Sequence, residues 1–167
     1  MLFRSRLEKR GPLLASGLRV GERIGRGKVR VIHDPAERNL LQLGEVLVTD
    51  RTDPDWEPVM KRAAAVVTLS GGRTCHAAIV SRELGVPAVV GVTEATSLLH
   101  DGQEVTVSCA EGDEGFVYDG VAKFDVQDIN LSNVPETRTK VMLNMANPAA
   151  ALQWWQLPSD GIGLARM

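Results

Sequence analysis

The stretch from residue 63 to residue 92 constrains the fold most, because its hydrophobic pattern changes twice. Residues 63–69 form a continuous apolar run, which is typical of a strand buried on both faces. Gly71 and Gly72 interrupt that run, and from Thr74 the apolar residues recur with helical spacing. The pattern predicts a strand, a glycine turn, a helix and then a second strand over residues 86–92.

His76 lies in the first turn of the predicted helix, which Gly85 and Pro87 terminate. The first N–H groups of a helix lack partners, and the helix dipole adds about half a positive charge there, so such a position binds phosphate. A histidine that attacks a phosphoryl group needs a ring lone pair, space for the anion and nearby donors. His76 is therefore a candidate phosphoryl acceptor, although a capping or surface histidine would show the same local pattern.

The segment GGRTCHAAI, which starts at Gly71, resembles the phosphohistidine signature of enzymes that make or use phosphoenolpyruvate. It is most similar to the phosphoenolpyruvate synthases, since Cys75 stands where the related dikinases have serine. Leu69 differs from the polar residue usual at its position. The resemblance implies that His76 carries the phosphoryl group.

The same resemblance implies roles for five other residues. Gly71, Gly72 and Arg73 would support the phosphate. Thr74 would be a regulatory site, phosphorylated and dephosphorylated by a kinase/phosphorylase. Arg166 would bind the phosphate or carboxylate of the substrate, an arrangement suited to a planar guanidinium.

The activity implied by the resemblance is that of a pyruvate, water dikinase. His76 would take the pyrophosphoryl group of ATP, lose phosphate by hydrolysis and pass the remaining phosphoryl group to pyruvate. Mg²⁺ would screen the phosphate charges, with ligands on other domains. The partners would be an ATP-binding domain and a barrel that binds phosphoenolpyruvate or pyruvate, so this chain alone is not expected to be active.

The implied fold is α/β, a swivelling β/β/α phosphohistidine domain followed by an incomplete βαβ start of a TIM-type barrel. We expect an N-terminal helix and linker over 1–16, the swivelling domain over 17–120, a linker over 121–139 and the barrel fragment over 140–167. The patterns predict further elements: strands over 29–32, 45–50, 140–144 and 161–164, helices over 54–62, 93–99 and 148–156, and a hairpin over 103–118.

Composition narrows the other possibilities. The chain has 167 residues, 44% of them apolar, and a net charge of −2, which gives no support to a nucleic-acid or membrane surface driven by charge. Its two cysteines, Cys75 and Cys109, predict reduced thiols in a cytoplasmic protein. The acidic loop 52–58 predicts turns and a helix start rather than a metal site.

Two other functional classes remain open from the sequence. A stand-alone phosphocarrier would use the same His76 to pass phosphate between proteins. A swivelling scaffold domain would not need His76 at all. A nucleophilic dyad of Cys75 and His76 is disfavoured, because adjacent residues of a helix point about 100° apart. His33 and His100 lie in polar loops and are interpreted as surface residues.

Overall fold

The computed structural model describes residues 2–129, 137–145 and 157–165. The chain divides into two compact units, one of residues 3–127 and one of residues 1–2 and 128–167. In chain order the elements are β1 (Leu2–Leu7), β2 (Leu13–Val20), β3 (Ile24–Val31), β4 (Val46–Thr49), α1 (Glu57–Met60), β5 (Ala65–Thr68), α2 (His76–Leu84), β6 (Ala88–Val90), α3 (Ala95–Leu98), β7 (Glu104–Ser108), β8 (Glu114–Asp119), β9 (Phe124–Ile129), β10 (Met142–Met145) and β11 (Gly161–Ala165). Short 3₁₀ segments cover Pro35–Leu40 and Pro54–Trp56.

Seven strands of the larger unit close into a barrel in the order β2-β6-β5-β4-β3-β7-β8. The four strands β3, β4, β5 and β6 run parallel to one another, whereas β2, β7 and β8 complete the barrel with antiparallel pairs. The predicted hairpin is confirmed as β7 and β8. Because parallel strands share a direction, the loops that follow β3 to β6 emerge at one end of the barrel.

Successive side chains of a strand point to opposite faces of the barrel wall, so the residues on the two faces form two hydrophobic cores, one inside the barrel and one outside it. All seven strands contribute to the inner core, which includes Val48 of β4, Val67 of β5 and Val107 of β7. The opposite faces of β4, β5 and β6 pack against α1, α2 and the segment around the buried Trp56. At about 25 cal/mol per Å² of apolar surface removed from water, these two cores supply most of the stabilisation of the unit.

The predicted α/β class is confirmed, but the strand layers differ from the expected sandwich. Instead of a mixed sheet covered by a separate second sheet, all seven strands hydrogen-bond into one closed barrel, and α2 covers its outer face. Closure pairs every edge strand, which removes the unpaired N–H and C=O groups that an open sheet presents. The predicted helix over 54–62 is a 3₁₀ turn followed by the short α1.

The prediction of a basic helix near the N-terminus is wrong. Leu2–Leu7 is the strand β1, and it pairs with β9, which lies in the segment expected to be an irregular linker. The pairing continues beyond β1, where the Glu8 N–H donates to the Lys123 carbonyl over 3.0 Å. Sequence periodicity could not reveal this pair because the two segments are more than one hundred residues apart.

The smaller unit contains the parallel pair β10 and β11, with Met142 opposite Gly161 and Ala165 opposite Met145. Both predicted strands are therefore confirmed. The helix predicted over 148–156 and the candidate substrate residue Arg166 lie outside the described residues. The TIM-type barrel start stays a prediction.

Glu45 connects the loop before β4 to β3. The residue is 9% exposed, and its carboxylate accepts hydrogen bonds from Arg30 Nε (3.2 Å), Arg30 Nη2 (3.0 Å) and the Gln42 N–H (2.8 Å). Burial raises the pKa of Glu45, but the Arg30 and Gln42 hydrogen bonds outweigh burial and leave the pKa below its ordinary value. The folded state therefore stabilises the charged carboxylate.

We expect Glu45→Gln to lower the free energy of unfolding by about 1–3 kcal/mol at pH 7, because Arg30 loses the nearer of its two carboxylate partners, Glu45 and Asp101. A lowered folded-state pKa gives stability that is present above the unfolded pKa and lost as pH falls through the folded pKa. The difference in the free energy of unfolding between the parent and Glu45→Gln should therefore shrink when the pH falls below 4.5, the ordinary pKa of a glutamate. Urea denaturation at neutral and acidic pH measures this difference, and Glu104→Gln, at an exposed position, is the control. An equal difference at both pH values would contradict the prediction.

Candidate active site

The candidate site lies at the end of the barrel where the loops after β3, β4 and β5 emerge. The loop after β5 is hydrogen-bonded to the loop after β4 through Leu69 N to Thr49 O (3.1 Å) and Ser70 N to Asp50 O (3.0 Å). Leu69, at the position where the related enzymes have a polar residue, packs against the inner core. Its apolar side chain thus helps to close this end of the barrel.

Gly71 allows the tight turn between β5 and α2. Its φ is +131°, a conformation that residues with a side chain rarely adopt, and a Cβ there would lie 2.7 Å from Cys75 Sγ. Gly72 has open space around its Cα, but its carbonyl accepts the Cys75 N–H over 3.1 Å. Gly71 is therefore required by steric fit, whereas Gly72 leaves the approach to the helix free of a side chain.

The helix α2 begins at His76 and ends as predicted, with Gly85 as C-cap at φ 68°. Its N-cap is Cys75, which makes no side-chain capping bond. Thr74, although threonine is a favoured capping residue, precedes the N-cap and is exposed. Its hydroxyl is not used as the cap.

His76 is partly buried, and its Nδ1 lies 3.0 Å from Thr52 Oγ1. A threonine hydroxyl both donates and accepts, so this contact is compatible with either ring tautomer. When Nδ1–H donates to Thr52, the lone pair is on Nε2, the nitrogen on the other side of the ring. The contact engages Nδ1 and leaves Nε2 as the ring nitrogen that Thr52 does not contact.

Sequence reasoning did not single out Thr52. The residue follows β4, which is the parallel neighbour of β5, and the loops after adjacent parallel strands lie close together at one edge. Combining this rule with the predicted strands at 45–50 and 63–69 would have brought Thr52 close to the histidine loop. The hydrogen bond itself required the tertiary structure.

Charged side chains surround this edge. Arg73 is exposed, and its carbonyl accepts a 2.8 Å hydrogen bond from Arg82 Nη2, which ties the loop to the last turn of α2. At the end of α1, Lys61 Nζ lies 2.8 Å from Glu57 Oε1. The hydrogen bond and charge of Lys61 lower the pKa of the exposed Glu57 carboxyl.

The two cysteines have different surroundings, and both are free thiols. Cys109 is buried, and its Sγ donates to the Ala88 carbonyl over 3.2 Å. Burial raises the pKa of Cys109 to about 11, which keeps it as an unreactive thiol at neutral pH. Cys75 is partly buried against the outer core beneath the glycine turn.

The other two histidines, His33 and His100, are exposed, as the sequence predicted. The His33 side chain is 61% exposed and its Nδ1 lies 3.2 Å from Asp50 Oδ2, while His100 is exposed.

Within residues 2–129, 137–145 and 157–165, no three His, Cys, Asp or Glu side chains are arranged to hold a metal ion. No helix in the described part of the chain has the length and hydropathy to cross a membrane.

Comparison with known families agrees with the site. Residues 41–112, which include β4, β5, α2 and His76, match the family model described as PEP-utilising enzyme, mobile domain. This segment of the chain belongs to that family.

The chain is also similar to complete proteins. It is 59% identical over 155 residues to the phosphoenolpyruvate synthase of Neisseria meningitidis serogroup B, covering 93% of this chain and 20% of that protein. The corresponding values are 55% over 159 residues for the synthase of Aquifex aeolicus (95% and 19%) and 53% over 167 residues for that of Escherichia coli K12 (100% and 21%). The chain thus spans about a fifth of the length of these relatives.

Proposed function

We propose that the chain is the phosphohistidine-carrying part of a phosphoenolpyruvate synthase. His76 accepts a phosphoryl group that originates in ATP and delivers it to pyruvate, with AMP and phosphate as the other products. The observation that carries the proposal is the His76 ring at the start of α2, with Nδ1 against Thr52 and Nε2 left for attack. A stand-alone carrier or a scaffold is less well supported, because the similarity to the synthases extends over nearly the whole chain.

The chemistry balances in three steps. Nε2 forms a bond to the β-phosphorus of ATP and AMP leaves. Water then releases the γ-phosphate, and the enolate oxygen of pyruvate finally takes the remaining phosphoryl group as the N–P bond breaks. When the Nδ1 proton leaves after the first step, the Thr52 hydroxyl can rotate and donate to the nitrogen it previously accepted from.

The loop supplies the surroundings for this transfer. Gly71 and Gly72 give the phosphate close access to the N–H groups at the start of α2, and Arg73 adds positive charge. Thr74 is the proposed site of regulatory phosphorylation by a kinase/phosphorylase. Arg166 is proposed to bind the substrate's phosphate or carboxylate on the barrel.

The remaining parts of the proposal concern the whole enzyme. An ATP-binding domain and a barrel for phosphoenolpyruvate or pyruvate are the partners, and the protein is cytoplasmic. The segments 17–120 and 140–167 keep their proposed roles as swivelling domain and barrel fragment, whereas strands β1 and β9 lie in the segments 1–16 and 121–139. Mg²⁺ would neutralise phosphate charge during transfer, and the resemblance implies that its ligands belong to the other domains.

Isotope labelling tests the proposal. The chain is mixed with the ATP-binding domain of a related synthase and with ATP labelled at either the β- or the γ-phosphate. We expect acid-labile label on His76 from β-labelled ATP and free phosphate from γ-labelled ATP. Retention of the γ-label, or label on another residue, would contradict the mechanism.

Thr52→Val should reduce the rate of His76 phosphorylation by about tenfold, at the low end of what orienting partners of functional histidines contribute. Valine has the shape of threonine but cannot fix the tautomer. Thr52→Ser is the matched control and should retain most of the rate. Equal rates for the parent and Thr52→Val would show that the hydrogen bond has no role in transfer.

A further inference from the structure

The loop before α2 is held differently in its two halves. Its first half is tied to the loop after β4 by backbone hydrogen bonds. In its second half, Gly72 has open space around its Cα, and both Arg73 and Thr74 are exposed. The Arg73 carbonyl in this second half accepts the 2.8 Å hydrogen bond from Arg82 Nη2. The exposed half of the loop therefore depends on a side chain of α2 for its position.

Arg82 reaches the loop from the last turn of α2. It lies six residues after His76, which corresponds to about 9 Å along the helix axis. Long side chains of a helix point back towards its N-terminus, so the guanidinium spans this distance and donates to the Arg73 carbonyl. The helix that begins with His76 thus also holds the loop that precedes it, and one element sets the positions of both.

The hydrogen bond from Arg82 also fixes the orientation of the peptide unit between Arg73 and Thr74. This peptide is trans, so its N–H points opposite to its C=O. With the Arg73 carbonyl turned towards Arg82, the Thr74 N–H is turned away from that side chain, and within the described residues it has no backbone acceptor. Two residues of chain span at most about 7 Å between Cα atoms, so this donor lies close to His76.

We propose that Arg82 is a positioning residue for the transfer: it orients the peptide between Arg73 and Thr74 so that the Thr74 N–H donates to the phosphoryl group on His76. The proposal rests on the phosphorylation of His76 proposed above. Hydrogen bonds from backbone N–H groups to phosphate oxygens are strengthened by the anionic charge, and they favour transfer most when the donor is oriented before the anion arrives. Arg82 acts through the loop and takes no part in forming or breaking the N–P bond.

Variants of Arg82 test this role in a reaction that needs no second domain. Arg82→Met removes the donor and the charge but keeps an unbranched side chain, whereas Arg82→Lys keeps a charged donor. Arg6→Met is the matched control, since it makes the same change at an exposed arginine of β1. Each chain is treated with phosphoramidate: the N–P bond of the donor breaks, Nε2 of His76 forms the new bond, and the departing ammonia takes up the Nδ1 proton. The readout is the rate at which acid-labile phosphate appears on His76.

We expect Arg82→Met to slow this phosphorylation at least about tenfold, since a misplacement of about 1 Å can cost about a hundredfold. Arg82→Lys should lie between the parent and Arg82→Met, and Arg6→Met should match the parent. Because Arg82 is exposed, the Tm of Arg82→Met should stay within about 3 °C of the parent value. In ¹H–¹⁵N NMR, phosphorylation should move the Thr74 amide proton downfield in the parent and by less in Arg82→Met.

Ionic strength separates positioning from simple attraction of the anion by the Arg82 charge. In 1 M KCl the screening length falls to about 3 Å, so a deficit caused by lost attraction would disappear, whereas a deficit caused by a misplaced loop would persist. Rates of Arg82→Met and the parent that become equal in 1 M KCl, or that are equal at low salt, would overturn the proposal. A parent chain that takes up no phosphate on His76 would instead overturn the proposed function, and this inference with it.

Discussion

His76→Asn is expected to abolish the incorporation of phosphate from β-labelled ATP while leaving the fold intact. Asparagine can still place a polar atom near Thr52, but it has no atom equivalent to the ring Nε2 that forms the N–P bond. His76 is partly buried at a helix start, so the free energy of unfolding should change by only about 1 kcal/mol. Labelling is measured in the presence of the ATP-binding domain, and stability by thermal unfolding.

The other two histidines are the internal controls for this experiment. His33→Asn and His100→Asn remove the same ring from exposed positions and should label like the parent. Since the chain has three histidines, these variants cover every alternative imidazole acceptor. Equal labelling of His76→Asn and the parent would reject the phosphohistidine mechanism.

Thr74→Glu should block the phosphorylation of His76 almost completely. A phosphate on Thr74 would add nearly two negative charges two residues from His76, and glutamate carries one charge at the same position. Either would occupy the free N–H groups at the start of α2 and repel the phosphates of ATP. The measurement is phosphate transfer in the full enzyme, with thermal stability recorded beside it.

Thr74→Val is the matched control and should retain most of the transfer activity. Because Cys75 rather than Thr74 is the N-cap, the loss of the hydroxyl should also cost less than the roughly 1 kcal/mol typical of a removed cap. A folded Thr74→Glu that transfers phosphate as well as the parent would exclude the regulatory role.

Short-range patterns predicted much of the fold around the site. The apolar run, the glycine turn and the helical spacing indicated β5, the turn at Gly71 and α2 because each depends on neighbours within a few residues. The end of α2 at Gly85 followed from a backbone conformation that only glycine adopts readily. The hairpin of β7 and β8 likewise has a short connection with clear turn residues.

The features that failed or were missed depend on residues far apart in sequence. Tertiary packing decides how the barrel closes, that β1 pairs with β9 and that Leu69 packs against the inner core. Local periodicity in the sequence does not encode these contacts.

The sequence by itself determined that His76 begins a helix after a glycine turn, because backbone propensities act locally. Only the tertiary structure decided which ring nitrogen Thr52 contacts. That choice depends on Thr52, brought 3.0 Å from Nδ1 by the parallel pairing of β4 with β5.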